Sequence, residues 1–153
     1  MKIAVFPGSF DPITIGHESI IRRAIPLFDK IIIAVGANST KSSFFSVEKR
    51  VAWIKQLFAS ETKVEAADYK GLTVEFCKTV GANYILRGLR TSADFEFERG
   101  IGQMNRAMHT NVETIFLLTL PEHSAISSTI IRDIIKNGGD VSSFVPKGID
   151  LQK

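Results

Sequence analysis

Short continuous apolar runs alternate with amphipathic stretches along this chain. Ile3-Ala4-Val5-Phe6 reads as a buried strand that Pro7 and Gly8 end. From His17 to Phe28 the period becomes helical, with Ile20, Ile21, Ala24 and Leu27 on one face. Ile31 to Val35 is a second strand, and the loop from Gly36 to Ser46 is rich in Ser, Asn and Gly. Ser46 is placed to cap a helix that starts at Val47, with Val51, Ile54, Leu57 and Phe58 as its apolar stripe. Lys63 to Ala67 is a weaker third strand, and Thr73 to Val80 is a helix closed by Gly81. Tyr84 to Leu86 is a fourth strand, Ala93 to Met108 a long helix and Thr114 to Leu118 a fifth strand. Ser127 to Lys136 is the last clear helix, ended by Gly138 and Gly139, and a further short helix is possible beyond it.

Continuous apolar strands separated by helices imply a parallel sheet covered on both faces. The expected fold is a Rossmann-like, doubly wound five-stranded parallel α/β sheet in a single domain over residues 1–153. In such sheets ligands bind beyond the carboxyl ends of the strands, where the strand order reverses. The chemically distinctive residues fall at those ends. Ser9 and His17 follow the first strand and Lys41 the second. Arg87 and Arg90 follow the fourth, and Ser127, Ser128 and Thr129 the fifth.

The first of these segments carries the most information. Pro12 and Gly16 are expected to keep the chain in a loop until a helix opens at His17. The free N–H groups and positive dipole end of that helix suit a phosphate. A histidine there adds a donor aimed at the same place, and Gly16 would let the backbone approach a ligand closely.

Composition narrows the setting. Hydrophobic residues are 44% and charged residues 23%, ordinary for a globular protein. The charge of +3, from 19 basic and 16 acidic residues, is too mild for a nucleic-acid-binding face, and basic residues do not cluster among aromatics. No apolar run nears the roughly 20 residues that span a bilayer, and the N-terminal run breaks at Pro7 before a signal peptide could form. The lone Cys77 fits a reducing compartment, and a cytoplasmic location is expected. No His, Cys and carboxylate spacing suggests a zinc site. Cys77 and Trp53 read as packing residues, His109 as exposed and Asp133 as a surface charge.

Two boxes mark the chemistry. Thr14-x-Gly16-His17 resembles the T/HxGH box of the nucleotidyltransferase superfamily. Ile126-Ser127-Ser128-Thr129-x-x-Arg132 resembles its ISSTxxR box. Arg87-Gly88-Leu89-Arg90 can hold separate phosphates with fork-like guanidinium donors. With Ala93-Asp94-Phe95-Glu96-Phe97-Glu98, Met104-Asn105-Arg106 and Pro7-Gly8-Ser9-Phe10-Asp11-Pro12, it resembles the bacterial phosphopantetheine adenylyltransferase family over nearly the full chain.

The resemblance implies adenylyl transfer from ATP to 4′-phosphopantetheine, giving dephospho-coenzyme A and pyrophosphate. It implies Mg²⁺ carried on ATP's phosphates, a homohexamer and coenzyme A as a feedback ligand. Ser9, Phe10, His17, Gly88, Leu89, Arg90 and Glu98 would hold ATP, together with His123, Ser124, Ala125, Ile126, Ser127, Ser128 and Thr129. Ser9, Lys41, Thr73 and Arg87 would hold phosphopantetheine. His17 would stabilise the transition state, aided by Lys41 and Arg90. Ser9 stands where the family usually has threonine and keeps the hydroxyl. His123 stands where Trp or Tyr is common, and Thr73 is at a variable position that often contacts through backbone. Another acceptor, such as nicotinamide mononucleotide or glycerol phosphate, and a non-catalytic nucleotide-binding module are the competing readings.

Overall fold

The central strand β1 (Ile3–Gly8) is buried from Ala4 to Pro7. Alternation along it divides the core. Ala4 and Phe6 join Ile21, Ile33 and Ile54 on one face, while Val5 joins Val74, Cys77 and Ile85 on the other. In this computed structural model, which describes residues 1–37 and 43–151, five parallel strands form one sheet in the order β3-β2-β1-β4-β5. They are β1, β2 (Lys30–Gly36), β3 (Val64–Tyr69), β4 (Tyr84–Leu89) and β5 (Glu113–Leu118). The helices are α1 (Ile15–Ala24), α2 (Val47–Leu57), α3 (Thr73–Val80), α4 (Ser92–Met108) and α5 (Ser128–Lys136). The expected Rossmann-like, doubly wound sheet is present.

Local chemistry explains the boundaries. Ser46, Thr91 and Ser127 each accept a backbone N–H and cap α2, α4 and α5. Gly81 closes α3 with φ 73°, a left-handed turn that costs glycine nothing. Trp53 and Cys77 are buried packing residues, as expected.

Several boundaries differ from the sequence reading: α1 ends at Ala24 rather than Phe28, β3 runs from Val64 to Tyr69 rather than from Lys63 to Ala67, and others shift by a residue. β1 does not end at Pro7 but runs through Gly8. Within a strand a residue's N and C=O face the same side, and the Pro7 carbonyl accepts from Arg87 on β4. Pairing of β1 with β4 stops at Val5↔Ile85. The absent N–H of Pro7 therefore faces a place where the sheet has already parted. α1 begins at Ile15, not His17, because Thr14 is a buried N-cap, which puts Gly16 inside the helix. β4 continues to Leu89, so Arg87 and Gly88 lie in the strand rather than after it. The C-terminal stretch holds no helix among the described residues. Gly138 and Gly148 adopt positive φ there, while Val141 and Val145 pack on Ile131.

Candidate active site

The strand order reverses between β1 and β4. Beyond Val5↔Ile85, β1 stays with β2 to Gly8↔Val35 and β4 stays with β5 to Leu89↔Leu118. The two halves of the sheet separate at their carboxyl ends and leave a cavity of about 290 Å³. It is lined by Ser9 and Phe10 after β1, His17 on α1, Arg87 and Gly88 on β4, Arg90, Glu98 and the Ile126–Ser128 turn. Four separate segments of the sequence converge at this topological switch point.

His17 is held by its own helix start. Thr14 Oγ1 accepts the His17 backbone N–H at 3.2 Å, and the Thr14 backbone N–H donates to His17 Nδ1 at 3.0 Å. An acceptor Nδ1 carries no proton, so the neutral ring bears it on Nε2. Burial, followed by the charges of Arg87 and Arg90, lowers the His17 pKa to about 4. His17 is thus a neutral donor at ordinary pH.

Beneath it the chain is unusual. Phe10 has φ 49°, a left-handed conformation uncommon for a bulky residue. Its ring is 2% exposed and meets His17 edge-on, centroids 5.0 Å apart. A Cβ on Gly8 would come within 3.0 Å of that ring, so the close approach requires glycine. Phe10 forms the wall behind His17 and offers little open side-chain surface.

The arginines divide the space. Arg87 Nε and Nη2 pair with both oxygens of Glu98, at 3.0 and 2.5 Å, while Nη1 donates to Pro7 O. Arg87 and Glu98 also line a second cavity of about 210 Å³, with Tyr69, Thr73, Phe97, Ile101 and Asn105. The ion pair is therefore a partition shared by two adjoining spaces. Arg90 donates to Asp94 at 3.2 Å and reaches across to the Ile126 carbonyl at 3.5 Å. Burial would raise the Asp94 pKa, but the Arg90 backbone N–H and guanidinium prevail and hold it below the usual carboxylate range.

Other predicted residues fall differently. His123 lines the first cavity beside Gly16. Leu89 is a buried core residue. Ser124 and Ala125 are exposed, and Ser124 Oγ turns to Pro121 O. Thr129 is exposed and accepts from Arg132. Thr73 lies in the second cavity and bonds Tyr69 at 2.8 Å. Lys41 lies outside the described residues. His109, expected to be exposed, is half-buried and pairs with Glu75 at 2.8 Å. Asp133 is exposed, as expected. The sequence reading missed Thr119, which lines the first cavity at the end of β5. It also missed the buried Arg50.

The cytidylyltransferase-like family profile matches residues 5–134. The chain is 54% identical over 152 residues to the phosphopantetheine adenylyltransferase of Flavobacterium psychrophilum, covering 99% of this chain and all of the relative. It is 50% identical over 153 residues to that of Flavobacterium johnsoniae, covering both chains fully, and 41% identical to that of Bacteroides fragilis over 99% of this chain and all of the relative. The chain belongs to the phosphopantetheine adenylyltransferase family. Members of this family are nucleotidyltransferase enzymes of coenzyme A biosynthesis. A solved structure from Vibrio parahaemolyticus, assigned as a nicotinate-nucleotide adenylyltransferase, shares the fold. Its TM-score is 0.72 over 97% of this chain and 96% of that one, at 20% identity.

Proposed function

We propose that this single nucleotidyltransferase domain transfers the adenylyl group of ATP to 4′-phosphopantetheine, releasing dephospho-coenzyme A and pyrophosphate. The observation that carries the proposal is the pair of adjoining cavities partitioned by Arg87 and Glu98, with the His17 ring in the first. The first, with its arginines and the α5 N-terminus, suits a triphosphate. The second, apolar at Phe97 and Ile101 with polar Asn105 and Thr73, suits the pantetheine arm. Arg87 lies where the acceptor phosphate would meet ATP.

The chemistry needs no general base. The acceptor phosphate oxygen is already ionised near neutral pH. It attacks the α-phosphorus in line, a new P–O bond forms and the bond to the bridging oxygen breaks. Pyrophosphate leaves with that electron pair. Bringing two polyanions together and spreading charge at the α-phosphate make up the barrier. His17 Nε2–H donates there, with Arg90 lining the same cavity; the family resemblance gives Lys41 a part in the same task. Ser9 and Phe10, the Gly88–Arg90 turn, Glu98 and the His123–Thr129 segment form the ATP side. Ser9, Thr73 and Arg87 form the phosphopantetheine side, to which the family resemblance adds Lys41.

Mg²⁺, held by ATP's phosphates, would supply charge neutralisation. The cavity's carboxylates, Asp94 and Glu98, are already bonded to Arg90 and Arg87, so phosphate oxygens and water are the donors that suit this hard cation. The lone, buried Cys77 suits a cytoplasmic setting, and no helix among the described residues is long and apolar enough to cross a membrane. The family resemblance implies a homohexamer, and exposed apolar residues on α4, where Phe97, Met104 and Met108 stand open, offer a face that self-association would bury. Coenzyme A, which carries the product's groups, is the expected feedback ligand. Incubation with ATP, Mg²⁺ and phosphopantetheine should release pyrophosphate. Background release with phosphopantetheine, alongside turnover of nicotinamide mononucleotide, would overturn the acceptor.

A further inference from the structure

Arg50 lies on α2, is 3% exposed, and is absent from the lining of either cavity. A buried guanidinium is costly unless its donors are used. Here Nε donates to the Phe45 carbonyl at 3.1 Å and Nη1 to the Ser9 carbonyl at 2.6 Å. Burial lowers its pKa, and the charges of Asp11 and Glu48 oppose that shift. Asp11, also buried, directs its two oxygens elsewhere, to the N–H groups of Phe44 and Phe45, both at 2.8 Å. A side chain from the β1–α1 loop thus binds backbone ahead of α2. A side chain from α2 binds backbone in the β1–α1 loop. The links cross in both directions over the same gap.

The segment they hold is the one that shapes the site. Ser9 lines the first cavity, and Phe10, next in sequence, is in the strained left-handed conformation. Such a conformation persists only where its surroundings over-determine it. Phe10 in turn backs the His17 ring. The third side of the segment is tied to α5, where Arg132 donates to Asp11 O and Ser128 to Pro12 O, both at 2.8 Å.

We propose that Arg50 and Asp11 are positioning residues for adenylyl transfer, cross-linking the Ser9–Phe10 backbone to the start of α2 so that His17 meets the α-phosphate in register. This inference rests on the adenylyl-transfer reading. A small displacement of a reacting donor can cost about a hundredfold in rate, so the loss falls on kcat rather than on binding.

The test compares Arg50→Lys, Asp11→Asn and the double variant with wild type. Pyrophosphate release, KM for ATP, circular dichroism and hydrogen exchange of the peptide containing Phe44 and Phe45 are measured. Lysine keeps the charge but cannot reach both carbonyls as a fork. In Arg50→Lys kcat should fall about ten- to a hundredfold with KM for ATP changed less than about threefold. The fold should be retained and exchange at the Phe44–Phe45 peptide should speed up. Asp11→Asn should act alike, and the double variant should lose little more than the worse single, because both act on one segment. Wild-type kcat in Arg50→Lys, or losses that multiply in the double variant, would overturn the inference. Failure of wild type to release pyrophosphate would remove the reaction itself. The cross-link is then judged by exchange alone, and unchanged exchange in both single variants would overturn it.

Discussion

A histidine whose Nδ1 accepts a backbone N–H can keep its ring proton only on Nε2. Thr14 imposes this on His17, and burial with Arg87 and Arg90 nearby keeps the ring neutral down to about pH 4. His17→Ala should therefore lower kcat by roughly two to three orders of magnitude, about 3–4 kcal/mol by analogy with a lost oxyanion donor. Affinity for ATP, measured by calorimetry, should change little. An unchanged kcat would refute the donor role. The same shift sets a pH signature. The folded ring titrates near 4 and the unfolded one near 6.5. Between those values the unfolded chain binds the extra proton, so stability is lost as pH falls from about 6.5 towards 4. Urea unfolding at pH 7, 5.5 and 4.5 should show this fall. His17→Asn should show a shallower one. The turnover profile should carry no His17 inflection near neutrality.

At the scale of elements, the start of α1 combines two tasks in one turn. The Thr14 hydroxyl caps the helix, while the Thr14 backbone N–H fixes the histidine. Thr14→Ala removes the first and keeps the second. It should cost about 1 kcal/mol of stability in urea unfolding and reduce kcat far less than His17→Ala. A kcat loss as large as that of His17→Ala would mean that the hydroxyl orients the ring. The cap at Ser46 was legible because a hydroxyl residue sits directly before an apolar period, whereas Ser127, read as the first residue of the last helix, is its cap. The start of α1 was misread because Pro12 and Gly16 suggested a longer loop. Arg50 was less visible, although helical spacing put it on the same face as Trp53, Ile54 and Leu57. A charge on an apolar face was its only signal, and the partners that justify it lie in other loops.

Across the whole molecule, both faces of the sheet are covered, yet α4 leaves Phe97, Ile101, Met104 and Met108 at 71%, 42%, 63% and 47% exposure. These residues recur at helical spacing along one stripe. An isolated protomer would present them to water, whereas an assembled one would bury them. Met104→Glu, at a position outside both cavities, should shift the protein towards smaller species in sedimentation. A wild-type protein that sediments as a monomer would refute the assembly.

The sequence by itself determined the α/β class, the alternation of strands and helices and the residue types that gather at the strand ends, because period and local capping are written in neighbouring positions. The T/HxGH, ISSTxxR and Arg87–Arg90 blocks were legible for the same reason. The tertiary structure alone decided that the sheet parts after Val5↔Ile85 and that Arg87 is shared between two cavities through Glu98. It alone placed Phe10 behind His17 rather than open to the nucleotide. Arg50 likewise is linked to the site only through the fold, by its bond to the Ser9 carbonyl. The parting of the sheet and the Arg50–Ser9 bond depend on contacts between residues tens of positions apart, and the Arg87–Glu98 and Phe10–His17 contacts on how side chains of different elements are turned together; neither leaves a periodic trace in the chain.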